Sequence, residues 1–394
     1  MNTLKEKFHR LMIQTGPSDM GIEPVKAKGS YIYGRNGKKY LDMVAGVSAL
    51  PLGHRPEAVE AAVRRQLERY WHVMVYGEFI QDISVDLAGE LASVLPEKLS
   101  KMYPVNSGTE AVEAALKLAK RYTGRPRIVA ARYSYHGNTQ GSMSVMGYEP
   151  RKIPFTPLIP GVSFIRYNRP EDLDEINEQT AAVILETIQG GAGFITPEKG
   201  YLQAVRERCD AMGCLLILDE IQTGFARTGP MFGFEAEGII PDILVTGKAL
   251  GGGFPIGALH TSPEMAEVLR HPPMGHITTF GGHPVVAAAA LETLRQIRQK
   301  KLGEAALAKE KYIRSLFRHP LIREIRGRGL MLALMMPDKS TADRLILQAL
   351  EQGVILFWLL YEPRAVRITP PLTVSYEEID EAWQIICSIL DKML

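Results

Sequence analysis

Residues 215–229 read LLILDEIQTGFARTG and residues 243–253 read ILVTGKALGGG, and these two stretches decide the fold. Each opens with an apolar run of strand length, which leads to Asp219 in the first stretch and to Lys248 in the second. Short apolar runs of this kind are typical of strands that are buried on both faces of a parallel sheet. We therefore expect the two charged side chains at the carboxyl ends of buried strands.

Lys248 and Asp219 together suggest an amine and an acid that are held away from water. Gly247 precedes the lysine and glycines follow at 251–253, which is not the setting of a solvated surface lysine. Because burial disfavours the ammonium form, such a lysine tends to become a neutral nucleophile. Pyridoxal phosphate is the aldehyde cofactor that needs such an amine, and an acid keeps its ring nitrogen protonated. A helix cap or a simple ion pair is the alternative for such residues.

The region from about residue 100 to residue 250 alternates strand-length apolar runs with amphipathic helical patterns. These patterns predict helices at 109–122 and 201–212, and strands at 127–131, 181–186, 215–219 and 242–247. Such alternation predicts an α/β fold whose mostly parallel sheet is covered by helices on both faces. Ligands of open parallel sheets bind beyond the carboxyl ends of the strands, where Glu186, Asp219 and Lys248 are expected.

Beyond about residue 290 the sequence pattern changes. It predicts a long charged helix at 285–317, strand structure near 323–336 and a helix near 340–352. A chain of 394 residues is long enough for two domains. We expect a large α/β domain at 46–289 and a smaller α+β domain built from residues 1–45 and 290–394.

The composition excludes several classes of protein. The net charge is +2 and 46% of the residues are hydrophobic, with acids and bases interspersed, so neither nucleic acid nor a membrane surface is an expected partner. The N-terminus lacks the apolar core of a signal peptide, and no run approaches the roughly eighteen apolar residues of a membrane helix. Three cysteines and nine histidines show no ligand spacing, so no metal is expected. These features favour a cytoplasmic protein.

Two glycine-containing stretches are candidates for binding an anion. Ser107, Gly108 and Thr109 begin the helix predicted at 109–122, where the first backbone N–H groups lack intrahelical partners. A phosphate is the expected anion, although a plain serine or threonine cap is the simpler explanation of these residues taken alone. The stretch TTFGGHP at 278–284 supplies another hydroxyl and more open backbone.

Two side chains are candidates for contacting a pyridine ring. Tyr135 follows the strand IVAAR and is placed to stack on such a ring, although a lone tyrosine more often belongs to a core. Gln222 comes three residues after Asp219, where it is placed to donate to a phenolic ring oxygen or to serve in a turn.

The order of several motifs resembles that of class III aminotransferases, the group that acts on ornithine, acetylornithine, 4-aminobutyrate and ω-amines. The resemblance covers about residues 25–385, and its most specific part is the acid in LDEIQTGFARTG followed by the lysine in GKALGGGFPIGA. The other motifs, in order, are NSGTEA, YHG, ETIQGG, HITTFGGHP and IRGRGLM. It implies pyridoxal phosphate as cofactor, the fold type I architecture, and a homodimer with shared active sites.

The resemblance also implies roles for individual residues. Lys248 would form a Schiff base with the cofactor and then move a proton, while Asp219 would keep the ring nitrogen protonated. The further cofactor-binding residues would be Ser107, Gly108 and Thr109 at the helix start, Tyr135 on the ring beside His136, Gln222 at the ring hydroxyl, the nearby acid Glu186, and Thr279 reaching the phosphate from the partner subunit.

Two positions depart from the family pattern. Relatives that act on acetylornithine, ornithine or 4-aminobutyrate have an arginine after HG, where this chain has Asn138, and a neutral amide cannot clamp a carboxylate. They also have a glutamate that pairs with a second arginine, and here that position is Gly191. The second arginine is Arg367 in VRITPPL, which we expect to bind the carboxylate of 2-oxoglutarate or pyruvate, unless it only pairs near the subunit interface.

These departures lead to a hypothesis about the amino donor. We expect a terminal amine or an ω-amino acid that lacks the distal carboxylate arrangement of acetylornithine. Residues expected to line the cleft are Val47, Tyr70, Trp71, Phe357 and Trp358. The alternatives are an acetylornithine, ornithine or 4-aminobutyrate aminotransferase, a racemase, epimerase or aminomutase on the same fold, and a non-catalytic descendant. A nicotinamide dehydrogenase is disfavoured, because the glycines at 251–253 do not form GxGxxG at the start of a helix.

Overall fold

The computed structural model describes residues 3–16 and 19–394. The helices of these residues are α1 (Leu4–Leu11), α2 (Ala45–Ser48), α3 (Glu57–Arg69), α4 (Asp82–Ala92), α5 (Gly108–Thr123), α6 (Gln140–Ser144), α7 (Tyr201–Met212), α8 (Pro263–Glu267), α9 (Pro284–Gln299), α10 (Leu302–Leu316), α11 (Lys339–Glu351) and α12 (Tyr376–Asp391). The strands are β1 (Pro24–Lys28), β2 (Tyr31–Gly34), β3 (Lys39–Asp42), β4 (Lys101–Val105), β5 (Arg127–Ala131), β6 (Val162–Ile165), β7 (Thr180–Glu186), β8 (Leu215–Asp219), β9 (Ile243–Thr246), β10 (Gly257–Thr261), β11 (Glu324–Arg328), β12 (Met331–Met335), β13 (Val354–Ile355), β14 (Phe357–Trp358) and β15 (Ala365–Ile368). No helix in these residues is both long and apolar enough to cross a bilayer.

A seven-stranded sheet forms the centre of the molecule, with the strand order β4-β10-β9-β8-β7-β5-β6. Strand β10 runs antiparallel to both of its neighbours, and the pairs from β9 to β6 are parallel. Every residue of β7, β8, β9 and β10 is buried, as the continuous apolar runs predict for a sheet that is covered on both faces. The predicted α/β class is confirmed, and each element predicted between residues 100 and 250 forms within one residue of its expected bounds.

Helix α5 shows why these elements form where they do. The Ser107 side chain caps its N-terminus by accepting the Glu110 N–H, and Gly124 ends it with a left-handed φ of 68°. Its apolar face is buried against β7, β9 and β10. This packing fixes the N-terminus of α5 at the carboxyl ends of the strands.

The two chain ends form two smaller sheets, with the orders β1-β2-β3-β13 and β11-β12-β15-β14. The helix predicted at 285–317 is two helices, α9 and α10, because Lys301 has a left-handed φ of 49°. The strand structure predicted near 323–336 is the hairpin of β11 and β12. Helix α9 packs on α3 and α4, and the division into domains at residues 46 and 289 stays a prediction.

Residues Ala45–Ser48 form a left-handed turn, in which the four φ angles run 51°, 59°, 62° and 68°. Asp42 holds this turn, because its Oδ1 accepts the N–H groups of Val44 and Ala45, each at 2.9 Å, and its Oδ2 lies 2.9 Å from His54 Nε2. From the other end of the chain, the Thr369 hydroxyl donates to the Val44 carbonyl at 3.0 Å. The left-handed turn therefore depends on contacts from distant parts of the sequence.

Candidate active site

A cavity of about 390 Å³ lies at the carboxyl ends of the central strands. Glu186 ends β7, Asp219 ends β8, and Lys248 follows β9 by two residues, so the sheet brings the three polar groups to one edge. The residues that line the cavity are Val47, Gly108, Thr109, Tyr135, His136, Gly137, Asn138, Glu186, Ile188, Gly191, Asp219, Ile221, Gln222, Thr223, Lys248, Phe357, Trp358, Leu360 and Arg367. The size suits a cofactor together with a small substrate.

Lys248 has an unusual backbone and an unusual side-chain environment. Its φ of 42° is left-handed, which a non-glycine residue adopts only where the surrounding structure enforces it. The surface it exposes faces the cavity. Burial lowers the pKa of its amine to about 8, against the opposing effect of the Asp219 carboxylate. About a tenth of the amine is therefore neutral, and nucleophilic, at pH 7.

Asp219 is held by two contacts at the base of the cavity. Its Oδ2 lies 2.7 Å from His136 Nδ1, and its Oδ1 accepts the Ile221 N–H at 3.0 Å. Both side chains of the aspartate–histidine pair are buried, and His136 Nε2 has no hydrogen-bond partner among the described residues. The pair is thus an oriented acid that a cationic ring nitrogen would match.

Glu186 ties two loops of the cavity together. Its carboxylate accepts the Gly190 N–H at 2.9 Å and the Tyr135 N–H at 3.1 Å. Burial raises the pKa of this carboxyl to about 7, with Asp219 adding to the effect and His136 opposing it. The contact to Tyr135 fixes the loop whose aromatic ring forms one wall.

The N-terminus of α5 opens onto the cavity at Gly108 and Thr109, and the binding of an anion there stays a prediction. The Thr109 hydroxyl lies 2.9 Å from that of Thr139 and 2.7 Å from that of Ser142. Ser107 is absent from the lining, and its hydroxyl caps the helix by accepting the Glu110 N–H, so its role in binding the cofactor stays a prediction. Gly257 lets β10 approach this end closely, since a Cβ there would lie 2.2 Å from the Ser107 carbonyl oxygen.

Besides Ser107, three predicted residues lie outside the cavity lining of this chain. Thr279 is exposed in the loop before α9, and the Trp71 side chain is 70% exposed with its Nε1 donating to the Leu67 carbonyl. Their roles stay predictions, as does that of Tyr70, which is also absent from the lining. The other predicted lining residues, Val47, Phe357 and Trp358, are present.

Arg367 is the cation at the substrate end of the cavity. It lies on β15 and is 4% exposed, and its Nε and Nη1 have no hydrogen-bond partner among the described residues. The ring of Phe194 lies 5.4 Å from its guanidinium carbon, and burial lowers its pKa to about 10. A buried cation without an acid is expected to attract a substrate carboxylate. Asn138 lines the cavity as an exposed, uncharged side chain.

Tyr361 is a residue of this region that sequence reasoning missed. Its N–H donates to the Gly191 carbonyl at 2.9 Å, and a Cβ on Gly191 would lie 2.7 and 2.8 Å from two of its ring carbons. The ring therefore fills the space in which a side chain at position 191 would begin. Nothing in the sequence near residue 191 indicates this contact, because the two residues meet only in the folded chain.

Comparison with known proteins relates the chain to enzymes of one family. The family model for aminotransferase class III matches residues 13–390. The chain is 39% identical to the acetylornithine aminotransferase of Listeria monocytogenes, covering 95% of each protein. It is 37% identical to the LysW-aminoadipate semialdehyde/glutamate semialdehyde transaminase of Sulfurisphaera tokodaii, covering 92% of this chain and 93% of that one.

Solved structures agree over nearly the whole chain. The ornithine aminotransferase of Toxoplasma gondii superposes with a TM-score of 0.92 at 30% identity, covering 100% of this chain and 96% of that one. The (S)-enantioselective ω-transaminase of Thermomicrobium roseum gives a TM-score of 0.89 at 29% identity, covering 100% and 95%.

Proposed function

The chain belongs to the class III aminotransferases, which depend on pyridoxal phosphate, and on that premise we propose that it transfers the amino group of a terminal amine to a keto acid bound by Arg367. One observation carries the proposal: the cavity that contains Lys248 also contains the buried guanidinium of Arg367, which has no carboxylate partner in the described chain. A keto-acid carboxylate would supply the missing anion.

The residues present fit pyridoxal phosphate. The cavity combines a lysine with a lowered pKa, a buried carboxylate oriented by His136, and an open helix N-terminus at Gly108 and Thr109. When bound, the cofactor supplies an aldehyde and a ring that accepts electrons from the substrate carbon. Lys248 would hold it covalently, Asp219 would face the ring nitrogen, and the N-terminus of α5 would hold the phosphate.

The side chains of the cavity would have separate roles in the reaction. The Lys248 amine, when displaced by substrate, is placed to accept and return a proton in the cavity. Asp219, oriented by His136, would keep a proton on the group it faces, while Gln222 offers an amide whose Nε2 lies 3.4 Å from the Ser48 hydroxyl. Arg367 orients the keto acid by donating two parallel hydrogen bonds to its carboxylate.

For the amino donor, the relatives favour acetylornithine over the amine that the sequence analysis placed first. Three relatives from Listeria carry the name acetylornithine aminotransferase at 38 to 39% identity. Acetylornithine reacts at a terminal amine and carries a carboxylate far from it. The neutral Asn138 is the observation that supports the second candidate, an amine without that carboxylate.

We also propose a homodimer with shared active sites. Thr279 lies in an exposed loop outside the cavity of its own chain, which suits a contact with the partner's cofactor. The exposed apolar side chains Phe79, Ile80 and Phe280 would be covered in such a dimer. Sedimentation equilibrium that finds only a monomer at micromolar concentration would exclude it.

The proposed transamination is tested in two separate half-reactions. N-acetylornithine, 4-aminobutyrate or 1,4-diaminobutane should convert the bound cofactor to its amino form, and 2-oxoglutarate or pyruvate should restore the aldehyde form. Both steps are followed by the cofactor's visible absorbance. Lys248→Ala should lose the absorbance of the lysine-bound cofactor and turnover together, and persisting turnover would exclude the assigned lysine. Racemisation of an amino acid without conversion of the cofactor would instead identify a racemase.

A further inference from the structure

A donor with a carboxylate remote from its amine needs a cation at the outer end of the cavity, and Asn138 does not provide one. This inference rests on the proposed function. In the proposed function, the buried Arg367 binds the carboxylate of the keto acid. Another positive group near the cavity is therefore required if acetylornithine is the donor.

Arg151 is a cation that meets this requirement. It ends the 3₁₀ helix Glu149–Arg151 and is exposed to solvent. The described part of the chain provides no acid partner for it, because Glu149 pairs instead with Lys152, at 2.7 Å. Its charge is thus available to an anion from solution.

Aromatic side chains connect Arg151 to the cavity wall. Its guanidinium carbon lies 5.6 Å from the centroid of the Tyr361 ring, a distance typical of a cation over an aromatic face. That ring stacks on Tyr148 at 4.4 Å and abuts Gly191, which lines the cavity. A cation–π contact with a ring that is itself held by two neighbours restricts the motion of the guanidinium.

The charge of Arg151 also influences a second residue of the cavity wall, Tyr135. Tyr135 lines the cavity, and the positive charge of Arg151 opposes the burial that raises the pKa of its phenol. The guanidinium therefore acts on both tyrosines at this side of the site.

We propose that Arg151, supported by Tyr361, is a specificity-determining residue that binds the carboxylate of the amino donor remote from the reacting amine. It would replace, from another loop, the charge that position 138 lacks. The matching substrate class is an ω-amino acid such as N-acetylornithine.

Two donors that differ only in this carboxylate test the proposal. N-acetyl-1,4-diaminobutane is N-acetylornithine without its carboxylate, and the first half-reaction of each is measured by single-turnover absorbance of the holoenzyme. Arg151→Gln should lower kcat/KM for N-acetylornithine by about tenfold, as expected for a lost charge-assisted hydrogen bond, and leave the other donor unchanged. Arg132→Gln, an exposed arginine on a nearby loop that removes the same charge, is the matched control.

Adding Asn138→Arg to Arg151→Gln should restore the preference for N-acetylornithine, because position 138 lines the cavity and would then carry a cation. The proposal is overturned if Arg151→Gln keeps the wild-type preference, if Arg132→Gln loses it equally, or if the wild type shows no preference. A wild type that converts neither these donors nor any other amine defeats the proposed function itself, which is a distinguishable result.

Discussion

Replacing Arg367 with methionine should weaken the use of keto acids and strengthen the fold at the same time. In the free protein this guanidinium is 4% exposed, and two of its nitrogens have no partner among the described residues. Its pKa is lowered to about 10, which corresponds to a burial cost on the order of 3 kcal/mol. Methionine is shorter but equally unbranched and flexible, and it needs no hydrogen bonds.

The loss of function follows from the contacts that the arginine would make. Two charge-assisted hydrogen bonds to a keto-acid carboxylate contribute about 3 kcal/mol together, so kcat/KM for the keto acid should fall about a hundredfold. Removing the unpaired cation should raise the free energy of unfolding by about 1 to 3 kcal/mol.

Both effects are measurable on one preparation. Single-turnover absorbance of the second half-reaction, with the amino form of the cofactor and 2-oxoglutarate or pyruvate, gives the first effect. Denaturant unfolding of the cofactor-free protein gives the second. Arg323→Met, on an exposed arginine, is the control. A keto-acid kcat/KM within about threefold of wild type, where the lost contacts predict about a hundredfold, would refute the assignment of Arg367.

Three further perturbations test other parts of the site. Burial lowers the pKa of Lys248 to about 8, so above that pH the unfolded chain binds more protons than the folded one. This lysine therefore makes the free energy of unfolding of the cofactor-free protein increase as pH rises above 8. Denaturant unfolding at a series of pH values should show that increase in the wild type and not in Lys248→Met. The rate of cofactor binding, followed by absorbance, should also rise through pH 8 as the amine becomes neutral. Asp219→Asn should reduce turnover by about a hundredfold or more while cofactor is still bound, and near-normal turnover would contradict its electrostatic role. Gly257→Ala should weaken cofactor affinity, measured by titration, because its Cβ would meet the Ser107 carbonyl, whereas Gly89→Ala, with open space around it, should not.

The central sheet and its polar edge were predictable, because each strand that is buried in a parallel sheet appears in the sequence as a short, continuous apolar run. Asp219 and Lys248 stand at the ends of two such runs, and the parallel sheet brings their side chains into one cavity. The family resemblance then supplied the cofactor, which is confirmed for the family, while the roles of single residues stay predictions.

Other features depend on contacts that no local pattern encodes. The break before α10 occurs at Lys301, a residue that usually favours helix. The helical sequence pattern at 285–317 is therefore continuous, although the helix itself is interrupted. Tyr361 meets Gly191 across 170 residues of sequence, and neither neighbourhood indicates the other. Trp71 was expected in the cleft as one of several apolar and aromatic residues, but a single chain leaves it exposed.

The left-handed turn at Ala45–Ser48 links the cavity to the completion of synthesis. A left-handed helical backbone costs L-residues about 1 to 2 kcal/mol each, so this turn cannot form on its own. It is held by Asp42 near the N-terminus and by Thr369, which leaves the ribosome more than three hundred residues later. Val47, the part of this turn that lines the cavity, therefore takes its place only when almost the whole chain has been made. A nascent or truncated chain that lacks the last strands has no complete substrate cavity, even where its lysine and its central sheet are already in place.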